Sequence, residues 1–253
     1  MDRIVAQFSC GAASAVATKL AIARYGDRVV IVNAFIEEEH SDNRRFLADC
    51  EKWFGRSVTI LRDTKYGSST HEVWRRKRFI KGAVGAPCSF HLKRDLLDAF
   101  RFEGDKIVIG FTREEVDRFE NLQDRLKEYE VIAPLIEANL SKVDCLAMVE
   151  RAGIELPAMY RLGFHNANCI GCPKGGAGYW NKIREVFPEQ FHQIADIQES
   201  IGPGANFLRN RRTGERIKLR ELDPTHGRIE DEPAISCSFF CEIAEQDIEK
   251  SVV

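Results

Sequence analysis

The chain has 253 residues and a formal net charge of -2 at pH 7. This near-neutral balance gives no global argument for binding nucleic acid or an anionic membrane surface. The length suits one large α/β domain, or a domain with a smaller appendage. No stretch approaches the roughly 20 apolar residues of a spanning helix, and the start, Met1-Asp2-Arg3, lacks the build of a signal peptide. We therefore expect a soluble cytoplasmic protein that makes no membrane contact.

Strand and helix patterns alternate over the first two thirds of the chain. Helical patterns cover Ser14–Arg24 and Asp42–Trp53, the second ending at Gly55. Short apolar runs predict strands at Ile4–Phe8, Val29–Phe35, Val58–Leu61, Ile107–Gly110 and Val131–Leu135. Strands separated by helices predict an α/β fold with a mostly parallel five-stranded sheet covered on both faces. In such sheets ligands bind beyond the carboxyl ends of the strands.

The composition changes near Pro157. Gly, Asn, Cys and Pro crowd the stretch Gly163–Gly178, a helical pattern covers Trp180–Glu199, and a charged, turn-rich tail follows from Gly202. We predict a nucleotide-binding α/β domain over residues 1–156. Residues 157–253 are predicted to form a small Cys-rich appendage, helical and irregular, that packs on this domain.

A loop of small residues follows the first strand and runs into a helix. Small residues let a phosphate approach the backbone, and a helix N-terminus supplies N–H donors and a partial positive charge. An ordinary strand-to-helix turn uses the same residue types and remains the alternative. The phosphate-binding candidates are Ser9, Gly11, Ala12, Ala13 and Ser14.

Further candidates follow other strands. Glu37, after the second strand, is a candidate acceptor for a ribose hydroxyl, and a solvated acidic turn is the alternative. Basic side chains near later strands suit phosphate or sulfate oxygens, although each can also lie on a solvated face. These candidates are Lys93, Arg94 and Arg113, with Gly110 at the end of the fourth strand. The run Trp74–Arg78 suits a nucleic-acid backbone or an exposed helix face.

The chain contains eight cysteines. In a reducing compartment, close pairs indicate metal ligands or redox groups before structural disulfides. The spacing of Cys169 and Cys172 lets both sulfurs bind one zinc ion or one cluster, and a metal-free redox pair is the alternative. The remaining metal-ligand candidates are Cys88, Cys237 and Cys241, whereas Cys50 and Cys145 lie in helical patterns and are predicted core residues.

Four segments together carry a resemblance to a known family: QFSCGAASA (7–15), PCSFHLKRD (87–95), GFTREEVDR (110–118) and LPAMYRLGFHNANCIGCPKGGAGYWNKIREVFPEQF (156–191). They resemble the phosphoadenosine-phosphosulfate (PAPS) reductase-like branch of the PP-loop, or adenine nucleotide α-hydrolase, superfamily. The resemblance implies a Rossmann-like (HUP-type) five-stranded domain whose PP-loop grips nucleotide phosphates. It also implies a cysteine-bound iron–sulfur cluster, since the sulfur-transferring relatives commonly carry one.

The chain departs from the family pattern at three places. The ATP-pyrophosphatase form of the loop reads SGGxDS, whereas Cys10 replaces the first Gly and Ala13 replaces the Asp. The ECGLH-like catalytic tail of the reductases is absent, although Cys237 and Cys241 occupy a comparable terminal place. The paired cysteines of the cluster-bearing APS reductases appear here as the single Cys88. The departures make sulfur transfer at least as good an expectation as reduction of activated sulfate.

The expected function is that of an enzyme acting on an adenine nucleotide, ATP or PAPS/APS, near its α-phosphate and linked to sulfur transfer. Lys93, Arg94 and Arg113 would neutralise developing charge. A [4Fe–4S] cluster would be held by Cys88, Cys169, Cys172 and one of Cys237 or Cys241. The leftover cysteine, with Cys237 as the candidate, would handle sulfur as a nucleophile.

Alternatives stay open. A zinc ion could be held by Cys169, Cys172, Cys237 and Cys241. The chain could be a true PAPS or APS reductase that releases sulfite. It could also be a zinc-stabilised nucleotide or nucleic-acid binding module without catalysis. The expected partners are the nucleotide, an electron or sulfur donor protein, a nucleic-acid acceptor and a second copy of the chain.

Overall fold

The computed structural model describes residues 3–82, 85–210, 212–232 and 235. Within them a five-stranded parallel sheet has the order β3-β2-β1-β4-β5, as in Rossmann-like folds. Its strands are β1 (Ile4–Gln7), β2 (Val29–Ala34), β3 (Thr59–Leu61), β4 (Lys106–Val108) and β5 (Glu130–Ile132). The predicted α/β fold and all five predicted strands are confirmed, with ends shifted by one to three residues.

The strand order reverses next to β1. Ile4 pairs with Val29 of β2 on one side and with Lys106 of β4 on the other, both in parallel. The carboxyl ends of β1 and β4 therefore lie side by side at the point where crossover connections run in opposite directions. Doubly wound sheets bind ligands at this point.

The helices vary from one turn to four. They are α1 (Ala12–Tyr25), α2 (Asp42–Phe54), α3 (Thr70–Lys77), α4 (Pro87–Ser89), α5 (Asp95–Phe100), α6 (Val116–Arg125), α7 (Pro134–Glu137), α8 (Lys142–Arg151), α9 (Ala158–Arg161), α10 (Ala177–Val186) and α11 (Pro188–Ile201). A π-helical turn, Phe90–Arg94, joins α4 to α5. Strands β6 (Leu208–Arg209) and β7 (Arg216–Ile217) pair antiparallel. Among the described residues, no helix is both long and apolar enough to span a bilayer.

The chain divides into two compact units. The first consists of the described residues of Met1–Phe35, Ser41–Leu61 and Leu97–Arg161, and it contains the whole parallel sheet. The second consists of the described residues of Ile36–His40, Arg62–Leu96 and Leu162–Val253. Two segments from the first half of the chain therefore belong to the second unit. The domain boundary that the sequence predicts between residues 156 and 157 stays a prediction.

The core of the first unit lies between the sheet and helices α1, α2 and α8. The Phe8 ring contacts Phe46 and Phe54, with centroids 6.2 and 5.5 Å apart. Cys50 and Cys145 are fully buried in this core, as predicted. Burial raises the pKa of the Cys145 thiol to about 12, so this thiol stays protonated near neutral pH.

Prolines explain where the predicted elements differ from the observed ones. The pattern Trp180–Glu199 forms two helices because Pro188 lacks the N–H that would continue α10 and instead starts α11. The fifth strand ends at Ile132, since Pro134 opens α7. Cys88 lies in the short helix α4, which begins at a proline because proline is well tolerated at the first helical position.

Candidate nucleotide loop and cysteine pocket

The loop after β1 is held by its own hydroxyl groups. The Ser14 hydroxyl accepts hydrogen bonds from the Ser9 amide and the Ser9 hydroxyl, both at 3.1 Å, and donates to the Gly11 carbonyl at 2.9 Å. Gly11, at the N-cap of α1, provides no side-chain cap, and the first turn, which includes Ala12 and Ala13, contains no acidic residue. A helix N-terminus of this kind attracts anions. The predicted phosphate-binding residues thus form one shaped turn.

Cys10 replaces a glycine of the family pattern, yet it keeps the backbone conformation that glycine would adopt. The residue has a φ of 57° and is fully buried, which is the left-handed conformation that glycine adopts most readily. The Asn33 amide donates to the Phe8 carbonyl at 2.8 Å and to the Cys10 sulfur at 3.6 Å. The Cys10 side chain therefore belongs to the core beneath the loop.

Gly110 lets the end of β4 approach the loop. A Cβ atom at this position would lie 2.7 Å from the Ser14 Cα atom and 2.8 Å from the Ser14 amide nitrogen. Real Cβ atoms do not approach backbone atoms so closely. Gly110, a predicted nucleotide-site residue, therefore lies directly against the first turn of α1. Only glycine fits at this position.

Tyr160 lies beside the loop and was not predicted. A Cβ atom on Gly11 would be 3.3 Å from the Tyr160 hydroxyl oxygen. The segment that carries Tyr160 is held by Asp42, whose carboxylate accepts a hydrogen bond from the Ala158 amide at 2.7 Å. Asp42 also pairs with Arg45 at 2.7 Å. In the sequence Tyr160 was visible only within the LPAMYRLGF run.

The cations after β4 differ in exposure. The Arg113 side chain is 49% exposed and pairs with Glu114 at 3.3 Å. Arg118 and Lys142 are less exposed, and burial lowers the pKa of both, opposed by the charge of Glu115. The desolvated cations are thus Arg118 and Lys142, whereas Arg113, the predicted one, is about half exposed.

Three cysteines from distant parts of the chain line one pocket in the second unit. Cys88, Cys169 and Cys172 are thiols and are 6%, 7% and 3% exposed. The rest of the lining consists of Ile36, Thr70, Trp74, Ser89, Lys93, Gly171 and Pro173. The structure thus brings together three of the predicted metal ligands. The other two, Cys237 and Cys241, lie outside the described residues.

The Cys169–Cys172 loop is fixed from both sides. The Tyr179 hydroxyl accepts a hydrogen bond from the Cys172 amide at 2.9 Å and donates to the Cys169 carbonyl at 3.1 Å. Burial raises the pKa of this hydroxyl well above its ordinary value, so it remains a donor. On the other side, Cys169 forms an antiparallel bridge with Glu39. Sequence analysis identified the cysteines but not Tyr179.

The three glutamates after β2 have separate roles. Glu37, the predicted ribose acceptor, is exposed. The Glu38 carboxylate accepts a hydrogen bond from the Thr70 amide at 2.8 Å at the start of α3. The Glu39 side chain is 2% exposed, and its carboxylate lies 3.4 Å from the Lys93 ammonium group. Lys93, predicted to face a nucleotide, therefore lies as a paired cation beside the thiols.

The remaining basic candidates lie elsewhere in the second unit. The Arg94 guanidinium lies 5.4 Å from the centre of the Phe90 ring. In the run Trp74–Arg78 the Trp74 side chain is buried, whereas the four basic residues that follow are exposed. The buried Trp74 side chain is not available to stack on a base, and the basic side chains that follow it are exposed.

The donor chemistry of the pocket suits soft metals, since thiolates are the ligands of iron–sulfur clusters and of structural zinc. The pocket measures about 10 Å³, which is about the room that one water molecule needs. A four-iron cluster would therefore require the thiol side chains to move outwards. As they stand, the described His, Cys, Asp and Glu side chains form no group of three that could hold a metal ion.

No family model and no curated protein matches the chain. Among solved structures, the U34-tRNA thiolase NcsA from Methanococcus maripaludis with its [4Fe-4S] cluster is similar at a TM-score of 0.42 and 14% sequence identity. The similarity covers 80% of this chain and 70% of that chain. A likeness this distant assigns neither a fold nor a function.

Proposed function

We propose that this chain is an enzyme of the PAPS reductase-like branch of the PP-loop superfamily. It binds an adenine nucleotide at the Ser9–Ser14 loop and acts near the α-phosphate in a sulfur-transfer reaction. A [4Fe–4S] cluster is held by Cys88, Cys169 and Cys172, with a fourth cysteine, Cys237 or Cys241. The proposal is carried by one observation: Cys88 shares a buried pocket with a cysteine pair more than 80 positions away.

The surroundings of the pocket support a ligand role for the thiols. Metal thiolates are anionic, and anionic sulfur is stabilised by nearby cations and hydrogen-bond donors. Lys93 lines the pocket, and Lys81 is desolvated and lies close enough to Cys172 for their charges to interact. A bound cluster would supply electron-transfer and sulfur-binding chemistry. The chain's own part is to hold the thiols and to exclude water from them.

The first unit is proposed to bind the nucleotide. The N-terminus of α1 offers its N–H groups to the phosphates. The proposed charge neutralisation near the α-phosphate falls to Arg113. In the second unit, Lys93 and Arg94 are proposed partners for anionic oxygens of the substrate. Cys237 is the proposed sulfur-handling nucleophile when it is not a ligand.

The test is anaerobic purification of the wild-type chain and of a Cys88→Ser variant, followed by iron, sulfide and zinc analysis and an absorption spectrum. We expect a brown, iron-containing wild type and loss of most iron in the variant, because one cluster ligand is removed. Cys145→Ala is the matched control, since Cys145 is buried in the core of the first unit, and it should keep its iron.

Two results would overturn the proposal. Full zinc occupancy without iron in Cys88→Ser would show a zinc site that needs only the other cysteines. A wild-type chain that contains iron but neither binds nor turns over ATP, PAPS or APS would remove the nucleotide half of the proposal.

A further inference from the structure

The carboxylate of Glu232, in the C-terminal part of the chain, caps the N-terminus of α10. Glu232 accepts hydrogen bonds from the amides of Gly176 at 2.8 Å, Gly178 at 2.6 Å and Tyr179 at 3.2 Å. The first turn of α10 has no acidic residue of its own. Hydrogen bonds from helix N-terminal amides to a charged carboxylate are among the stronger ones in proteins. Glu232 therefore supplies the negative cap of α10 from more than 50 positions away.

The glycine-rich run before α10 is shaped for this contact. A Cβ atom on Gly176 would lie 2.6 Å from a Glu232 carboxylate oxygen, and one on Gly178 would lie 2.4 Å from the Arg228 backbone. A side chain at Gly178 would push the Arg228 backbone away, and one at Gly176 would displace the Glu232 carboxylate. Two glycines of the PKGGAG sequence, Gly176 and Gly178, thus allow the segment Arg228–Glu232 to dock.

Tyr179 connects this contact to the cysteine pocket. Its amide donates to Glu232, and its hydroxyl contacts the Cys169 carbonyl and the Cys172 amide at the other end of the residue. The side chain is buried and packs edge-on against Trp180, with ring centres 5.8 Å apart. A shift of the Tyr179 backbone is therefore transmitted to the cysteine loop.

We infer that Glu232 is a positioning residue for the cysteine pocket: through Tyr179 it holds the Cys169–Cys172 loop in the conformation that keeps both thiols buried. The inference builds on the pocket of the proposed function but needs no metal. Glu232 acts on the backbone of α10, and Tyr179 carries the effect to the cysteines.

The test compares Glu232→Gln with Glu230→Gln in the full chain, kept reduced and stripped of metal with a chelator. Glu230 lies two residues away and is exposed, which makes it a matched control. Alkylation of each cysteine with N-ethylmaleimide is followed by mass spectrometry. We expect Cys169 and Cys172 to react roughly tenfold faster in Glu232→Gln, because weaker capping lets the loop open more often.

Cys50 and Cys145, buried in the first unit, should keep their wild-type rates. A Tyr179→Phe variant, which retains the ring but loses the hydroxyl, should give the same selective increase. Equal rates in Glu232→Gln and Glu230→Gln would overturn the inference, as would a uniform increase at all cysteines or wild-type rates in Tyr179→Phe. If the anaerobically purified chain contains no iron and the stripped Glu232→Gln variant still shows the selective increase, the cluster is refuted and the role of Glu232 stands.

Discussion

The Ser9–Ser14 loop and the cysteine pocket are assembled in opposite ways. The loop is one continuous stretch, Ser9–Ser14, whose shape comes from hydrogen bonds between its own residues. The pocket draws its lining from four separate parts of the chain: residue 36, residues 70–74, residues 88–93 and residues 169–173. A continuous site depends mainly on local conformation, whereas an assembled site depends on the packing of every segment that contributes to it.

The two regions also differ in charge. The first turn of α1 contains no acidic residue, so the loop favours an anion through backbone dipoles alone. Lys93, which lines the pocket, pairs with Glu39, and the glutamate side chain is 2% and the lysine side chain 19% exposed. Buried pairs of this kind make a region sensitive to the loss of either partner. The pocket should therefore tolerate charge-changing substitutions less well than the loop.

The largest effect is expected for Lys93→Met. It removes the ammonium group that lies 3.4 Å from the Glu39 carboxylate and should lower the free energy of unfolding by about 2 to 3 kcal/mol, as for a hydrogen bond between charged groups. The measurement is urea denaturation at pH 7. Lys127→Met is the control because Lys127 is exposed, and it should change stability by less than about 0.5 kcal/mol. Adding Glu39→Gln to Lys93→Met should recover part of the loss.

Equal stability of Lys93→Met and Lys127→Met would contradict the assembled-site description of the pocket. It would mean that the ion pair contributes nothing to holding residues 36–40 and 88–93 in place.

The sequence predicted the continuous features well. Apolar runs located all five strands, and small residues after β1 located the loop, because both follow from local pattern. Residues that act through packing were missed. Tyr179 looks like any aromatic of an amphipathic helix, and Glu39 cannot be told from Glu37 by sequence, since their difference arises only when Cys169 pairs with Glu39. Gly110 was predicted as a nucleotide-site residue, but its close approach to Ser14 could be seen only in the structure.

A second prediction concerns acid stability in the first unit. Hydrogen bonds from Arg45, opposed by partial burial and helped by the Ala158 amide, lower the pKa of Asp42 from 3.8 to about 2. A lowered pKa in the folded state stabilises the fold above the unfolded-state pKa, and this contribution disappears as the pH falls from about 4 towards 2. It amounts to about 2 kcal/mol.

We therefore expect Asp42→Asn to be about 2 kcal/mol less stable than the wild type at pH 7 and equally stable near pH 2. Urea denaturation between pH 7 and pH 2 measures the difference, with Asp124→Asn, at an exposed position, as the control. Parallel stability curves for Asp42→Asn and wild type would contradict the prediction. If it holds, the nucleotide loop also depends on a distant contact, because Asp42 fixes the segment that carries Tyr160.

The smallest effect is expected for Arg113→Ala. The Arg113 side chain is 49% exposed and its partner Glu114 is 50% exposed. Exposed pairs contribute little to stability, so the free energy of unfolding should change by less than about 0.5 kcal/mol.

The proposed role of Arg113 predicts an effect on nucleotide binding instead. ATP affinity should fall a few-fold at low salt and much less at high salt, because salt screens an exposed charge. Titration calorimetry at two ionic strengths measures this, with Arg125→Ala, also exposed, as the control. Unchanged ATP affinity at both ionic strengths would assign Arg113 to the solvated surface. Charge neutralisation would then fall to the two desolvated cations, Arg118 and Lys142.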